Sequence, residues 1–202
     1  MQRLNAPTFF EEALPLSGSS ALVRNIALVL IGSILLAISA QTKVALWPVP
    51  VTLQTLVLMV MGATFGWRLA GLTVLAYWLQ GIAGLPVFSS GSGAAYFFGL
   101  SPTAGFLWGF LPAAMFIGAA AQWGMARNPI MLAGAMLIAH VILYIPGLVW
   151  GNTFVGNVSW MAEGELFAKF LEPFIIGDLT KIIIAVILVP VAYKAVETFR
   201  KG

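Results

Sequence analysis

The sequence predicts an all-α integral membrane protein, a bundle of six transmembrane helices with both termini cytoplasmic. Three observations carry this. Of 202 residues, 60% are hydrophobic and 8% charged, against about 25% charged in a soluble domain; no soluble interior hides that much apolar side chain. Apolar runs near the ~20 residues needed to cross a bilayer recur along the chain. The basic residues, finally, are shared unevenly between the two sides those runs define. The chain has no cysteine and one histidine, His140. That excludes disulfides, thiolate sites and a cysteine nucleophile, and leaves too few nitrogen ligands for the usual metal centre. Neither a metal nor a cofactor is expected. A scattered net charge of +3 does not point to nucleic acid.

Residues 1–20 are polar and mixed in charge, with Pro7, Pro15 and Ser17-Gly18-Ser19-Ser20; they read as a short, loosely held cytoplasmic segment ahead of one membrane domain, residues 21–199. The first helix is Ala21 to Ala40. Its small residues Ala37-Ile38-Ser39-Ala40 resemble a cleavage site, but the acids before it do not suit a signal peptide, so it is read as retained. Thr42 to Pro50 is a loop, because Pro48 and Pro50 force extended backbone. Val51 to Gly66 and Leu69 to about Leu85 are the second and third helices, joined tightly at Gly66-Trp67-Arg68. Gly81 to Gly99 is loop, rich in glycine, serine and proline; without a flanking strand it is not a phosphate cradle. Thr103 to Ala126 and Ile130 to Val149 follow. Trp150 to Glu172 is a longer loop, and Pro173 to about Thr198 the sixth helix, with a bend expected at Pro190.

Six crossings put Arg3, Arg24, Arg68, Arg127, Lys194, Arg200 and Lys201 on the side of the termini, with only Lys43 and Lys169 opposite. The positive-inside rule then makes the termini cytoplasmic and turns the long loops outward. Within the sixth run stand one carboxylate and one ammonium, Asp178 and Lys181, three residues apart and on one helix face. Each costs roughly 2.5–3.5 kcal/mol at the centre of a membrane helix. Counting from Pro173 at 1.5 Å per residue, they lie roughly 7–8 Å and 12 Å in from the outer end. They either neutralise each other or hold a polar ligand in a cavity open to one side, and the second reading is adopted.

Pro48-Val49-Pro50-Val51-Thr52-Leu53-Gln54-Thr55, then Gly81 with Gly84-Leu85-Pro86-Val87-Phe88 and Pro102-Thr103-Ala104-Gly105-Phe106, then Gly177-Asp178-Leu179 with Lys181, together resemble the BioY family over about residues 22 to 195. These are the biotin-specific S components of energy-coupling-factor (ECF) vitamin transporters. Where Ala104 stands the family usually has glycine. The resemblance implies high-affinity biotin binding from the outer face of the cytoplasmic membrane, with Asp178 and Lys181 contacting ligand and the first loop covering the pocket. It implies partners as well: an ECF transmembrane coupling protein and ATPases, or copies of the chain itself if it works alone. With no Gly-x-x-x-x-Gly-Lys-Ser/Thr run in this chain, ATP is used only by partners.

The chemistry is compatible. A carboxylate accepts from the N–H groups of a ureido ring, and an ammonium donates to its carbonyl. Trp78, Tyr96 and Trp150 are candidates to pack the thioether ring, although Trp150 suits a membrane-interface belt equally well. Gln54 and Gln80 either touch ligand or bond between helices. Ser89 and Ser90 lie where a loop can close over the site. His140 reads as an interhelical hydrogen bond. Gly32, Ser33, Ala37 and Ala40 give the first helix a small face, for packing within the chain or for docking the coupling protein. Other classes fare worse. An enzyme needs a nucleophile with a base, a metal or paired carboxylates, and only one acid lies within a span. A stand-alone channel or ion-coupled secondary transporter for a small polar solute is the alternative, with few groups for ion coupling and no evident inverted repeat.

Overall fold

The computed structural model describes residues 6–44, 51–159 and 161–201. Its elements run α1 (Phe9–Ala13), α2 (Gly18–Gln41), β1 (Lys43–Val44), β2 (Val51–Thr52), α3 (Gln54–Ile82), α4 (Ala104–Gln122), α5 (Pro129–Asn152), α6 (Leu166–Phe170) and α7 (Glu172–Lys201). Among the described residues five helices are long and apolar enough to cross a membrane: Gly18–Gln41, Gln54–Ile82, Ala104–Gln122, Pro129–Asn152 and Leu166–Lys201.

The central element is α3. It contains one non-helical residue, Gly66, at φ 76° and ψ 167°, a combination essentially restricted to glycine. The chain reverses there. Before the turn Gly62 lies against Ala114 and Ile117 of α4; after it Gly71 lies against Met115 and Leu111, while Gly66 and Trp67 sit on Gly118. Two arms thus follow α4 in opposite directions. Their far ends rejoin where Gln54 Nε2 donates to the Tyr77 hydroxyl at 2.9 Å. Around this hairpin α4 and α2 pack on α3, α5 on α4, and α7 on α3 and α5. The buried core comprises small residues at the close approaches (Ala63, Ala70, Ala113, Ala114, Ala139) and larger ones between them (Leu36, Leu58, Ile117, Leu132, Met136). Close backbone approach of this kind is how membrane helices gain packing energy without a hydrophobic drive between them.

Three local expectations change. The described part of the amino-terminal segment is not loosely held: Thr8 and Glu11 form a capping box on α1, Phe9 and Phe10 pack on Tyr193 and Phe65, and Glu12 pairs with Arg127, which also bonds Glu197. The second helix starts at Gln54 rather than Val51, because Val51 and Thr52 pair antiparallel with Val44 and Lys43. The long loop after α5 contains α6, and α5 itself extends to Asn152. Pro48, Val49 and Pro50, which carried part of the family signature, lie outside the described residues.

Candidate functional site

A cavity of about 640 Å³, its mouth included, opens at the end of the bundle where Gln54 and Tyr77 meet. Within it, the space that the centre of a water-sized sphere can reach is about 80 Å³. Helices α3, α4, α5 and α7 each contribute wall, and the loops at β2 and residues 88–103 contribute the roof. Its polar corner is built on Asp178, 4% exposed, and Lys181, 7% exposed. Lys181 Nζ donates to Asp178 Oδ1 at 2.8 Å and to Thr55 Oγ1 at 2.9 Å. Thr55 in turn donates to Asp178 Oδ1 at 2.8 Å, and the Tyr144 hydroxyl donates to Oδ2 at 2.5 Å. Two residues on one turn of α7 are therefore gripped by α3 from one side and α5 from the other. An ion pair this enclosed recovers its desolvation cost only when further hydrogen bonds complete it, and Thr55 and Tyr144 supply them.

The rest of the wall is largely aromatic: Phe88, Phe106, Phe110 and Phe174, with Leu107 and Leu143. Phe88 is wholly buried. Its ring fills the notch left by Gly81, where a Cβ would meet it at 2.0 Å, and it makes an edge contact with Tyr77 at 5.2 Å between centroids. The Tyr77 hydroxyl donates to the Val87 carbonyl at 3.0 Å, so the roof is pinned to α3. Two further bonds pin it to the first span: Gln41 Nε2 to the Phe88 carbonyl at 2.9 Å and Lys43 Nζ to Ser90 Oγ at 2.8 Å.

Of the residues singled out in the sequence, Asp178, Lys181, Gln54, Tyr96 and Ser89 line the cavity. Burial pushes the Tyr96 phenol above its ordinary range, and its hydroxyl lies 2.7 Å from Thr103. The others face elsewhere. Gln80 donates to Ser33 at 2.9 Å, an interhelical bond. Trp78 packs on Phe97. Trp150 donates to the Ser101 carbonyl and packs on Trp108, and Ser90 turns to Lys43. His140 bonds its own helix at the Met136 carbonyl and stands behind Asp178. The small face of α2 is covered from within the chain: Gly32 lies against Thr73 and Phe65 of α3, Ser33 and Ala40 are wholly buried, and Ala37 packs on the core.

Sequence reasoning passed over Thr55, Tyr77, Thr103 and Tyr144. Nothing in an apolar span distinguishes one hydroxyl from another until the fold brings it to a charge. Thr55 closes the first quoted motif and Thr103 stands in the second, while Tyr144 lies one helical turn after His140. Among the described residues no three His, Asp or Glu side chains converge as a metal ion requires.

The model of the BioY family matches residues 10–198. The chain is 37% identical over 172 residues to a biotin transporter BioY of Rhodobacter capsulatus, covering 80% of this chain and 88% of that one. It is 32% identical over 165 residues to a probable biotin transporter BioY of Pyrococcus horikoshii, covering 82% and 93%. In fold it is similar to a crystal structure of the S-component for biotin from an ECF-type ABC transporter. The TM-score is 0.65 at 21% identity, over 93% of this chain and 96% of that one.

Proposed function

The chain belongs to the BioY family, and from that premise we propose that it binds biotin and takes it up as the substrate-specific component of an ECF-type transporter. One observation carries this reading: a carboxylate and an ammonium held side by side in a cavity whose other walls are aromatic, aliphatic and hydroxyl- or amide-bearing. Lys181 donates to the ureido carbonyl, and Asp178 accepts from a ureido N–H. Phe106, Phe174 and Phe88 pack the thioether ring. Hydrogen bonds to charged groups contribute about 1.5–3 kcal/mol each, and a ligand lacking the ring covers the remaining Lys181 N–H and Asp178 lone pair without bonding them.

The reversal at Gly66 turns five apolar helices into six crossings, with both termini on one side. That side carries Arg24, Arg68, Arg127, Lys194, Arg200 and Lys201, so it is cytoplasmic and the cavity opens outward from the cytoplasmic membrane. With no nucleotide site of its own, the chain depends for ATP-driven uptake on a membrane coupling protein and ATPases, or works as an oligomer. The small face of α2 is already used against α3, so docking falls to other surfaces.

The test is equilibrium titration of the purified full chain with biotin, with desthiobiotin, which keeps the ureido ring, and with nicotinate, which lacks it. Tight binding of the first two and none of the third is expected; equal binding of all three overturns the assignment.

A further inference from the structure

The end of the bundle that carries the termini has a groove with no part in the scheme above. It follows α2. Ser19, Ser20 and Arg24 form its polar mouth, Ala27, Leu28 and Ile31 continue it along the helix, and Phe10, Leu14 and Leu16 of α1 and the linker after it make the second wall. At Phe10 it adjoins a further cleft, lined by Gly32 and Leu35 of α2, Val57 and Val60 of α3, and Leu188 and Ala192 of α7. The one polar side chain in that cleft, Thr64, donates to the Val60 carbonyl of its own helix at 2.8 Å. Leu35 stands eleven positions after Arg24, or about 16 Å along the axis. One leaflet's share of a ~30 Å hydrocarbon core is about 15 Å. The groove is as deep as a single leaflet.

Arg24 is half-buried at its mouth. Nε and Nη2 donate to Asn25 Oδ1 at 3.1 and 3.0 Å, and Nη1 donates to the Leu14 carbonyl at 2.6 Å and the Phe10 carbonyl at 3.5 Å. A guanidinium has five N–H groups, so one on Nη2 is left over, and every acceptor already engaged is neutral. The ion pairs among the described residues belong to Arg127 and to the Asp178 cluster; Arg24 has no carboxylate. Helical side chains lean towards the amino terminus, which carries the guanidinium back towards Ser19 and Ser20 as an arginine at a membrane surface ordinarily places it.

We propose that this groove binds one anionic phospholipid from the leaflet on the side of the termini, its phosphate on the remaining Arg24 N–H and an acyl chain laid along Ala27 and Ile31, past Phe10, towards Leu35. Charge complementarity selects this occupant. A partner's membrane helix or a second copy of the chain covers the apolar stripe but leaves the guanidinium without an anion. A phospholipid brings anion and chain in one molecule, and guanidinium suits phosphate through charge-assisted hydrogen bonds. Phe10 and Leu14 are both wall of the groove and acceptors of Arg24, so the bound lipid also braces α1 against α2. None of this depends on what the cavity at the other end holds.

The test is native mass spectrometry of the full chain released from detergent, titrated separately with dioleoylphosphatidylglycerol and dioleoylphosphatidylcholine, which share chains and differ in headgroup charge. One phosphatidylglycerol should bind at least about fivefold tighter than phosphatidylcholine, the contribution of one basic residue near an anionic lipid. Arg24→Gln should remove that preference and Arg24→Lys keep it. Arg68→Gln takes away another cation, exposed at the same end, and should leave the preference intact. Ala27→Trp, at an exposed position in the groove, should weaken both lipids alike. Equal binding of the two lipids by the native chain overturns the proposal, and that comparison decides even where Arg24→Gln loosens α1. So does a preference that survives Arg24→Gln, that Arg68→Gln also removes, or that Arg24→Lys loses, since the last assigns it to the α1 carbonyls rather than to charge. Lipid binding untouched by Ala27→Trp, or a dimer in the same spectra that Ala27→Trp abolishes, overturns it as well, the dimer by giving the groove to a second copy.

Discussion

Among the described residues, two ionic clusters stand towards opposite ends of the bundle, and they differ in surroundings. At one end Arg127 bridges Glu12 and Glu197, joining α1 and α7 to the turn before α5, with side-chain exposures of 28%, 10% and 44%. At the other, Asp178 and Lys181 are 6% and 8% exposed by side chain and border empty space. The first cluster shares its field with solvent, and its guanidinium also lies over the Tyr193 ring at 4.8 Å; it fastens the chain's two ends together. The second is largely withdrawn from solvent and faces the cavity. Exposure, rather than charge, separates the fastening from the pair proposed to meet ligand.

Asp178→Asn should show the difference most strongly. It leaves Lys181 buried and uncompensated, and breaking one partner of such a pair costs about 3–5 kcal/mol. Biotin affinity should fall by about two to three orders of magnitude in titration, with the variant still inserted and folded. Unchanged affinity would reduce the pair to a structural one. Next comes Gly66→Ala, far from ligand: a side chain there meets Thr8 and Gln122 in a backbone conformation costing about 1–3 kcal/mol for other residues. Thermal unfolding in detergent should shift down while biotin binding by the surviving folded fraction is retained. Thr55→Val removes a hydroxyl from the buried cluster and should weaken biotin by about tenfold to a hundredfold, following the ~1.5–3 kcal/mol of a hydrogen bond to a charged group. Smallest is Glu197→Gln: an exposed pair is worth about 0–1 kcal/mol, so the melting temperature should barely move and affinity not at all. A larger effect of Glu197→Gln on binding than of Thr55→Val would erase the contrast.

How much of this was legible in the sequence follows from the range of each interaction. Asp178 and Lys181 declared themselves because charge inside an apolar run is a local anomaly. Gly66-Trp67-Arg68 announced the reversal in the same way. Thr55 and Tyr144 did not, since Thr55 meets Asp178 across 123 positions of sequence and looks like any other threonine in a span. Gln80 and Trp150 stood out as polar groups that left two readings open, and each bonds a neighbour, Ser33 and the Ser101 carbonyl. The amino-terminal helix was readable in principle from Thr8 and Glu11, but its docking depends on Arg127, Phe65 and Tyr193, which only the fold brings to it.

The ceiling over the vestibule hangs from the first span through Gln41 and Lys43. To let a guest in or out by that route, those two ties must either break or carry α2 with them. A displacement of that ceiling is therefore coupled to the end of α2, and to α3 as well through the Tyr77–Val87 bond.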